Sequence, residues 1–349
     1  MARAIIGIPR ETKANETRVA LIPSDCLEII NNGFDVIVEA NAGEYAGFGN
    51  EKYKSVGAKI VVDPATLYKK ANIIVKVKEP QPTEIPLLAK HHTLFCFLHL
   101  GGNPQLTREL AGTGLTAYAF ETVQKNGKTP LLTPMSQIAG YLSVSLSSSF
   151  LMSAYGGKGV LLGKNPFHQA AHVLILGAGA AGQSALDAAY RVGARLTVVD
   201  INPSLLVMLK KKYSRISILE SSYENIMKIL PQVDVLIGAV YVYGRRAPQI
   251  ISRKMIQLLP KGSVAFDIAV DQGGCFETTR PCTYSKPVYM EEGVVHSAIA
   301  NLPSAVPGSA SIALSRKILP YVIQIAKENI SPGLKKGLNI ENQEIMLKL

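Results

Sequence analysis

Short apolar runs alternate along most of the chain with longer stretches in which apolar side chains recur every three or four positions. The runs have the length of buried strands, and the stretches carry the period of amphipathic helices. In the first third the pattern predicts strands at 3–8, Asp35–Glu39, Lys59–Val62, Asn72–Val77, Thr93–Leu98 and Thr116–Phe120. Between them it predicts a helix opened by Ser24 and stopped by Gly33, short helices near Glu51–Val56, Ala65–Lys70 and Glu84–Lys90, and a helix over Asn103–Gly112. Residues 9–20 are polar and charged and read as a loop.

Thr133-Pro134 opens a long helix, with Thr133 as its cap and Pro134 at its first position, running to about Tyr155 before Gly156-Gly157. A loop over 157–169 leads to a strand ending at Leu176. The alternation then continues with helix Ser204–Lys212, strand Ile216–Leu219, helix Tyr223–Leu230, strand Val233–Gly238, helix Ser252–Leu258 and strand Ser263–Asp267. Ser309–Lys327 has helical spacing, whereas the polar end from Gly333 reads as frayed. Strands alternating with helices predict parallel sheets. The fold class expected is α/β: two Rossmann-like, doubly wound parallel-sheet domains with a cleft between them. The boundaries expected are 1–132 plus 304–349 for one domain and 133–303 for the other.

The stretch His172–Asp200 carries the sharpest chemistry. A strand runs into Gly177-Ala178-Gly179-Ala180-Ala181-Gly182, a helix follows, and a second strand delivers Asp200. Gly177 permits the tight turn, Gly179 clears the backbone for a pyrophosphate, and Gly182 lets helix and strand lie close. The helix N-terminus offers N–H groups and a positive dipole end to the phosphates. Asp200, about twenty residues on, suits the ribose hydroxyls of the adenosine and repels a 2′-phosphate. The unit therefore predicts a dinucleotide site preferring NAD to NADP.

Composition narrows the class. The chain of 349 residues is 47% hydrophobic and 18% charged, enough for two cores. No apolar run reaches the length of a membrane span, and the first twenty or so residues lack a signal-peptide pattern. Cys26, Cys96, Cys275 and Cys282 are scattered, which suits neither a disulfide framework nor a zinc site and agrees with free thiols in a reducing cytoplasm. The net charge of +11 is spread out, and its densest cluster, Lys210–Lys212, lies at an expected helix end. A nucleic-acid partner is therefore not expected.

Open parallel sheets bind ligands at the carboxyl ends of their strands. Lys76 and Lys78 follow the strand beginning at Asn72, and strand alternation would point them the same way. Either can hold a carboxylate or polarise a carbonyl, or be a surface lysine. His99 leaves a buried strand at Leu100-Gly101-Gly102, as an acid/base would, although a lone histidine is as often a core residue. Asp271 lies just before Gly273-Gly274, where it could shuttle protons or only shape an Asx turn. Arg18 could fork onto a substrate carboxylate or pair on the surface with Glu11 or Glu16.

With these residues assembled, the chain resembles bacterial alanine dehydrogenase from Ile6 to about Lys327. The shared stretches include GIPRETKANETRVALIP, KVKEPQP, FCFLHL, YAFETV, LLTPMSQIAGYLS, GAGAAG, VVDIN, DIAVDQGGCFE and ANLPSAVP. The resemblance implies reversible, NAD-dependent deamination of L-alanine to pyruvate and ammonium by a homohexamer. It implies His99 and Asp271 as the acid/base pair, Arg18 and Lys78 as substrate ligands, and Asn301 beside the substrate. For the cofactor it implies Ser136, Gly177–Gly182, Asp200, Ser221 (with Ser222 as the alternative), Val240, Asp267, Ile268, Ala269, Val270, Asp271, Ala300, Asn301 and Leu302. The NAD-binding domain of proton-translocating transhydrogenase is similar too, but that family typically has asparagine where Lys78 stands and does not keep the histidine of FLH. A non-catalytic NAD-binding subunit would need the glycine turn without Arg18, Lys78, His99 and Asp271.

Overall fold

A computed structural model describes residues 3–242 and 246–346. It divides into two compact units, Met1–Met135 with Pro303–Leu349, and Ser136–Leu302. Each is α/β and built on its own mainly parallel sheet.

Unit 1 holds β1 (Ile5–Ile8), β2 (Asp35–Glu39), β3 (Lys59–Val61), β4 (Ile73–Val75), β5 (Thr93–Cys96) and β6 (Thr116–Ala119). Their order is β6-β5-β4-β1-β2-β3, all parallel. The chain winds outward from β1 to β3, then crosses to the other side of β1, so the switch point lies between β1 and β4. β4 is shorter than the sequence predicts: the chain bends at Val77-Lys78, and strand alternation stops applying there. The expected helix at Glu84–Lys90 is only a 3₁₀ turn over Ile85–Leu87, and the backbone is extended again at Leu88.

Unit 2 holds β7 (His172–Leu176), β8 (Arg195–Asp200), β9 (Ile216–Glu220), β10 (Val235–Gly238), β11 (Val264–Asp267), β12 (Tyr289–Glu291) and β13 (Val294–Ser297). Their order is β12-β13-β11-β10-β7-β8-β9. The six parallel strands follow the doubly wound dinucleotide-binding order, with the switch point between β7 and β10. The pair β12–β13 is absent from the sequence reading. Its signal is Glu292-Gly293, both at positive φ (53° and 75°), a two-residue hairpin turn closed by the pair Glu291–Val294. The long helix runs over Thr133–Phe150, ending before Tyr155, and Thr133 is not its cap: its hydroxyl donates back to the Thr129 carbonyl at 3.1 Å.

The C-terminal segment corrects the expectation of a frayed end. Residues Leu338–Glu341 form β14, antiparallel to β6, and Glu344–Ile345 form β15 beside it. Ile340 is fully buried in the unit 1 core, which fixes the strand. The helix Pro307–Ala326 lies in the same unit, and its buried serines reach the loop after β1. The Ser311 and Ser315 hydroxyls accept the backbone N–H groups of Val19 and Ile22, each at 3.0 Å. Chain-distant residues thus hold the segment that carries Arg18.

In unit 2, His172 is buried at the start of β7, between the Thr197 hydroxyl at 2.8 Å and the Gln232 carbonyl at 3.0 Å. Burial, with Arg195 nearby as the second cause, lowers its imidazole from the usual 6.5 to about 4. The unfolded chain therefore binds a proton at about pH 6.5 that the folded chain refuses until about pH 4. Stability is expected to fall as pH drops through that window, by about 3 kcal/mol for this group. Urea titrations followed by circular dichroism check this: His172→Gln should flatten the slope, and an unaltered slope would assign it elsewhere.

Candidate active site

The glycine turn of unit 2 has three distinct physical reasons for its three glycines. Gly177 sits at φ +92°, and a Cβ there would meet the Ala239 carbonyl oxygen at 2.7 Å. At Gly182 a Cβ would stand 1.8 Å from the Gly177 carbonyl oxygen, so helix Ala180–Arg191 and β7 lie too close for any side chain. Gly179 differs: its φ of −66° suits any residue, and a Cβ would meet nothing of this chain within 4 Å. Neither conformation nor internal packing requires glycine at that point, so its bareness fits a ligand drawn against the backbone. We expect Gly179→Ala to leave the melting temperature nearly unchanged and to weaken NADH binding about tenfold, the cost of roughly 1–3 kcal/mol for overpacking. Gly182→Ala should instead lower the melting temperature. Equal effects of both on melting would count against this division.

Ala178, Ala180 and Ala181 complete the turn. The Asp200 carboxylate at the end of β8 accepts the Ala178 N–H at 2.6 Å and the Asn202 N–H at 2.9 Å, which fixes its orientation beside the turn. Ser221 follows β9 and donates its N–H to the Asp200 carbonyl at 3.0 Å. Ser222 accepts the Asn225 N–H as a helix cap, leaving Ser221 as the serine beside Asp200. Gly140 of the long helix touches the first turn of the next helix so closely that a Cβ would lie 2.0 Å from the Ala181 carbonyl oxygen, and Ser136 stands one turn earlier. Val240 follows β10 across the switch point, half-buried.

The loop after β11 is organised by Asp267. It is 1% exposed, and its carboxylate accepts the N–H groups of Ala269, Cys275 and Phe276 and the Thr279 hydroxyl. The side chain expected at the cofactor is thus turned into its own loop, where it shapes the turn Ile268–Gln272. Ala269 and Val270 are buried, Ile268 is half-buried, and Asp271 is exposed at the tip. An Asp271 carboxylate oxygen lies 3.5 Å from the Asn301 N–H, and Asn301 is left-handed at φ +55°. Ala300 is exposed and Leu302 buried on either side of it.

In unit 1, Lys78 and His99 each stand three residues beyond the carboxyl ends of the neighbouring strands β4 and β5, and Arg18 lies in the loop after the next strand, β1. Arg18 is 3% exposed, and Glu16 holds it two-pronged, at 2.6 Å to Nε and 2.5 Å to Nη2. The ion pair weighed as a surface one is therefore buried, and Glu11 has another partner. Lys76 is fully buried, at 3.4 Å from Glu11 and 3.0 Å from Glu84, whereas Lys78 is half-buried beyond the bend. The two lysines part company, and only Lys78 stays a candidate for substrate. Glu11 also accepts the N–H of Val77 at 2.6 Å and of Lys78 at 3.3 Å, and burial raises its carboxyl above the usual range. Sequence reasoning weighed Glu11 and Glu16 only as surface partners of Arg18, and missed Glu84 and Glu121. Glu121 lies 22 residues from His99, so no local signal pointed to it.

His99 is exposed and left-handed at φ +49°, ψ +36°. Its N–H donates to Glu121 at 2.6 Å, and its ring stacks on Phe97 with centroids 5.9 Å apart.

Comparison with known proteins covers nearly the whole chain. Residues 7–139 match the family model "Alanine dehydrogenase/PNT, N-terminal domain", and residues 143–348 match "Alanine dehydrogenase/PNT, C-terminal domain". The chain belongs to the alanine dehydrogenase/PNT family. Among curated members of the family, the alanine dehydrogenase of Bacillus subtilis is 40% identical over 349 residues, covering 98% of this chain and 92% of that one. The alanine dehydrogenase of Halomonas elongata is 39% identical, covering 97% and 94%. A solved L-alanine dehydrogenase superposes with a TM-score of 0.95 at 41% identity, covering 99% of this chain and 97% of that chain. A transhydrogenase from Sinorhizobium meliloti superposes with a TM-score of 0.86 at 24% identity, covering 99% of both, and shows the shared fold alone.

Proposed function

We propose that this alanine dehydrogenase/PNT family member is an oxidoreductase that interconverts L-alanine with pyruvate and ammonium, using NAD. The observation that carries the reading is that Lys78 and His99 follow the adjacent strands β4 and β5, with Arg18 in the loop after β1, and that a carboxylate holds the guanidinium of Arg18 and the backbone N–H of each of the other two. The transhydrogenase reading does not call for Lys78 and His99, and the identity of about 40% to alanine dehydrogenases over nearly the full length supports the same choice.

The turn Gly177–Gly182 and Asp200 hold the dinucleotide, with the serines Ser136 and Ser221 beside them. NAD⁺, when bound, supplies the acceptor for the Cα hydride. Arg18 neutralises the substrate carboxylate, and Lys78 polarises the oxygen of the carbonyl in pyruvate. Asn301 hydrogen-bonds at the substrate. The amine must be neutral before hydride leaves, because a protonated nitrogen has no lone pair to form the imine. His99 and Asp271 move the protons as water adds to the imine and ammonium departs. Family likeness extends the reading to a homohexamer, which sedimentation velocity tests.

Assay of NADH absorbance with L-alanine, against L-serine, glycine, L-lysine and no substrate, tests the assignment. Turnover with alanine is expected, and its absence with NAD at all conditions would overturn the reading. The oxidative rate should rise from about pH 7 to about pH 10 as the amine loses its proton. A flat profile would contradict the neutral-amine step.

A further inference from the structure

The short segment that follows β6 does two things to His99. Glu121 lies there, and its carboxylate accepts two consecutive backbone N–H groups: that of Leu98, at 3.3 Å to Oε1 and 3.2 Å to Oε2, and that of His99, at 2.6 Å to Oε1. Phe120, the residue before it, is fully buried and meets Phe97 edge-on with centroids 5.0 Å apart and planes at 81°. Phe97 in turn lies parallel to the His99 ring, at an interplanar angle of 4°. Backbone and ring of His99 are therefore both braced by neighbouring residues of one strand end.

The bracing matters because of the backbone. β5 ends at Cys96, so Leu98 and His99 have left the ladder and their N–H groups need other acceptors. His99 is left-handed, a conformation that a non-glycine residue adopts at a cost of order 1–3 kcal/mol. It persists only where surrounding groups over-determine it. Among the described residues only Glu121 takes the Leu98 and His99 N–H groups, and its bond to His99, at 2.6 Å, is the shorter. An exposed side chain on a strained backbone would otherwise sample several directions.

We propose that Glu121 is a positioning residue for His99: its carboxylate clamps the Leu98–His99 peptide segment in the left-handed bend and so fixes the direction in which the imidazole is presented. The inference rests on the reading of His99 as a proton-transfer group. It adds that the precision of that transfer is set from the segment after β6, through the backbone of His99.

The test is a double-mutant cycle with one physical readout. For the unaltered chain, E121A, E121Q, H99A and the E121A/H99A pair, kcat and KM for L-alanine are measured, together with amide hydrogen exchange at His99. E121A should lower kcat by about 10- to 100-fold with a smaller change in KM, the size expected when a reacting group is displaced by about an ångström. In the H99A background the same substitution should change kcat by less than about twofold, since contacting residues that act as one unit are not additive. E121Q keeps one oxygen for the His99 N–H and should recover kcat to within about threefold of the unaltered chain. Exchange at the His99 amide should be slow in the unaltered chain and fast in E121A. Where E121A does not fold, E121D, which withdraws the carboxylate by one methylene, replaces it. An equal loss of kcat in both backgrounds would overturn the proposal in favour of a general structural role. Near-normal kcat in H99A would instead sink the His99 reading and the positioning role with it. The exchange data would then show whether the clamp exists without a catalytic purpose.

Discussion

Replacing His99 by alanine is expected to lower kcat for alanine oxidation by about 10²–10⁴-fold, the usual contribution of a positioned acid/base, while leaving NADH binding nearly unchanged. The argument starts from geometry. The residues that build the dinucleotide turn belong to unit 2, and His99 belongs to unit 1, at the end of β5. Its side chain is exposed on a left-handed backbone, so no core packing explains a histidine there. Two variants separate backbone from chemistry. Asparagine tolerates the left-handed region, so His99→Asn should keep the bend yet lose the proton transfer. His99→Ala loses the transfer and adds strain. Similar kcat losses in both, measured by steady-state NADH formation, would assign the loss to the imidazole. Turnover within a few-fold of the unaltered chain in either would remove His99 from the mechanism.

Lys76→Met is expected to destabilise unit 1 by about 3–5 kcal/mol, as removing one partner of a buried ion cluster usually does. The ammonium is fully buried between Glu11 and Glu84, and those two carboxylates hold it charged well above the usual lysine range. Glu84 also accepts the Thr12 hydroxyl at 2.7 Å, the Tyr68 hydroxyl at 3.0 Å and the Gln81 N–H at 2.8 Å. Without Lys76 both acids would stay buried with no neutralising charge, and protonation would relieve only part of the cost. Urea titration followed by circular dichroism reads the loss. Lys78→Met is the control: it should raise KM for pyruvate and move the urea midpoint less. A larger midpoint shift for Lys78→Met than for Lys76→Met would reverse the roles assigned to the two lysines.

These two lysines also mark where the sequence stops being legible. The order strand, glycine turn, helix, strand and Asp200 is local, and local periodicity and spacing carry it. The same is true of β1 to β6 and of the emergence of Lys78 and His99 just past strand ends. What separates Lys76 from Lys78 is a bend at Val77 and two carboxylates, Glu11 and Glu84, one of them distant along the chain. No period of two survives such a bend. The Glu16 grip on Arg18 and the Asp267 contacts with Cys275 and Thr279 are side-chain pairings, and spacing alone does not say which acid meets which donor. The hairpin β12–β13 was hidden by its brevity. The segment Leu338–Glu341 reads as polar, yet Asn339 and Ile340 are both buried there, and a polar asparagine gives no sign of that in the sequence.

That last strand has a consequence for how the protein is made. Unit 2 is contiguous, and all of its residues have been synthesised once translation passes residue 302. Unit 1 starts before unit 2 but is completed after it, because the helix that ties down the Arg18 loop and the strand that covers β6 are encoded downstream of unit 2. Domains tend to fold as units during synthesis, N-terminal first. Here the later unit can mature on the ribosome ahead of the earlier one, and a nascent chain halted short of residue 338 carries a complete nucleotide fold joined to a sheet whose β6 edge is still bare.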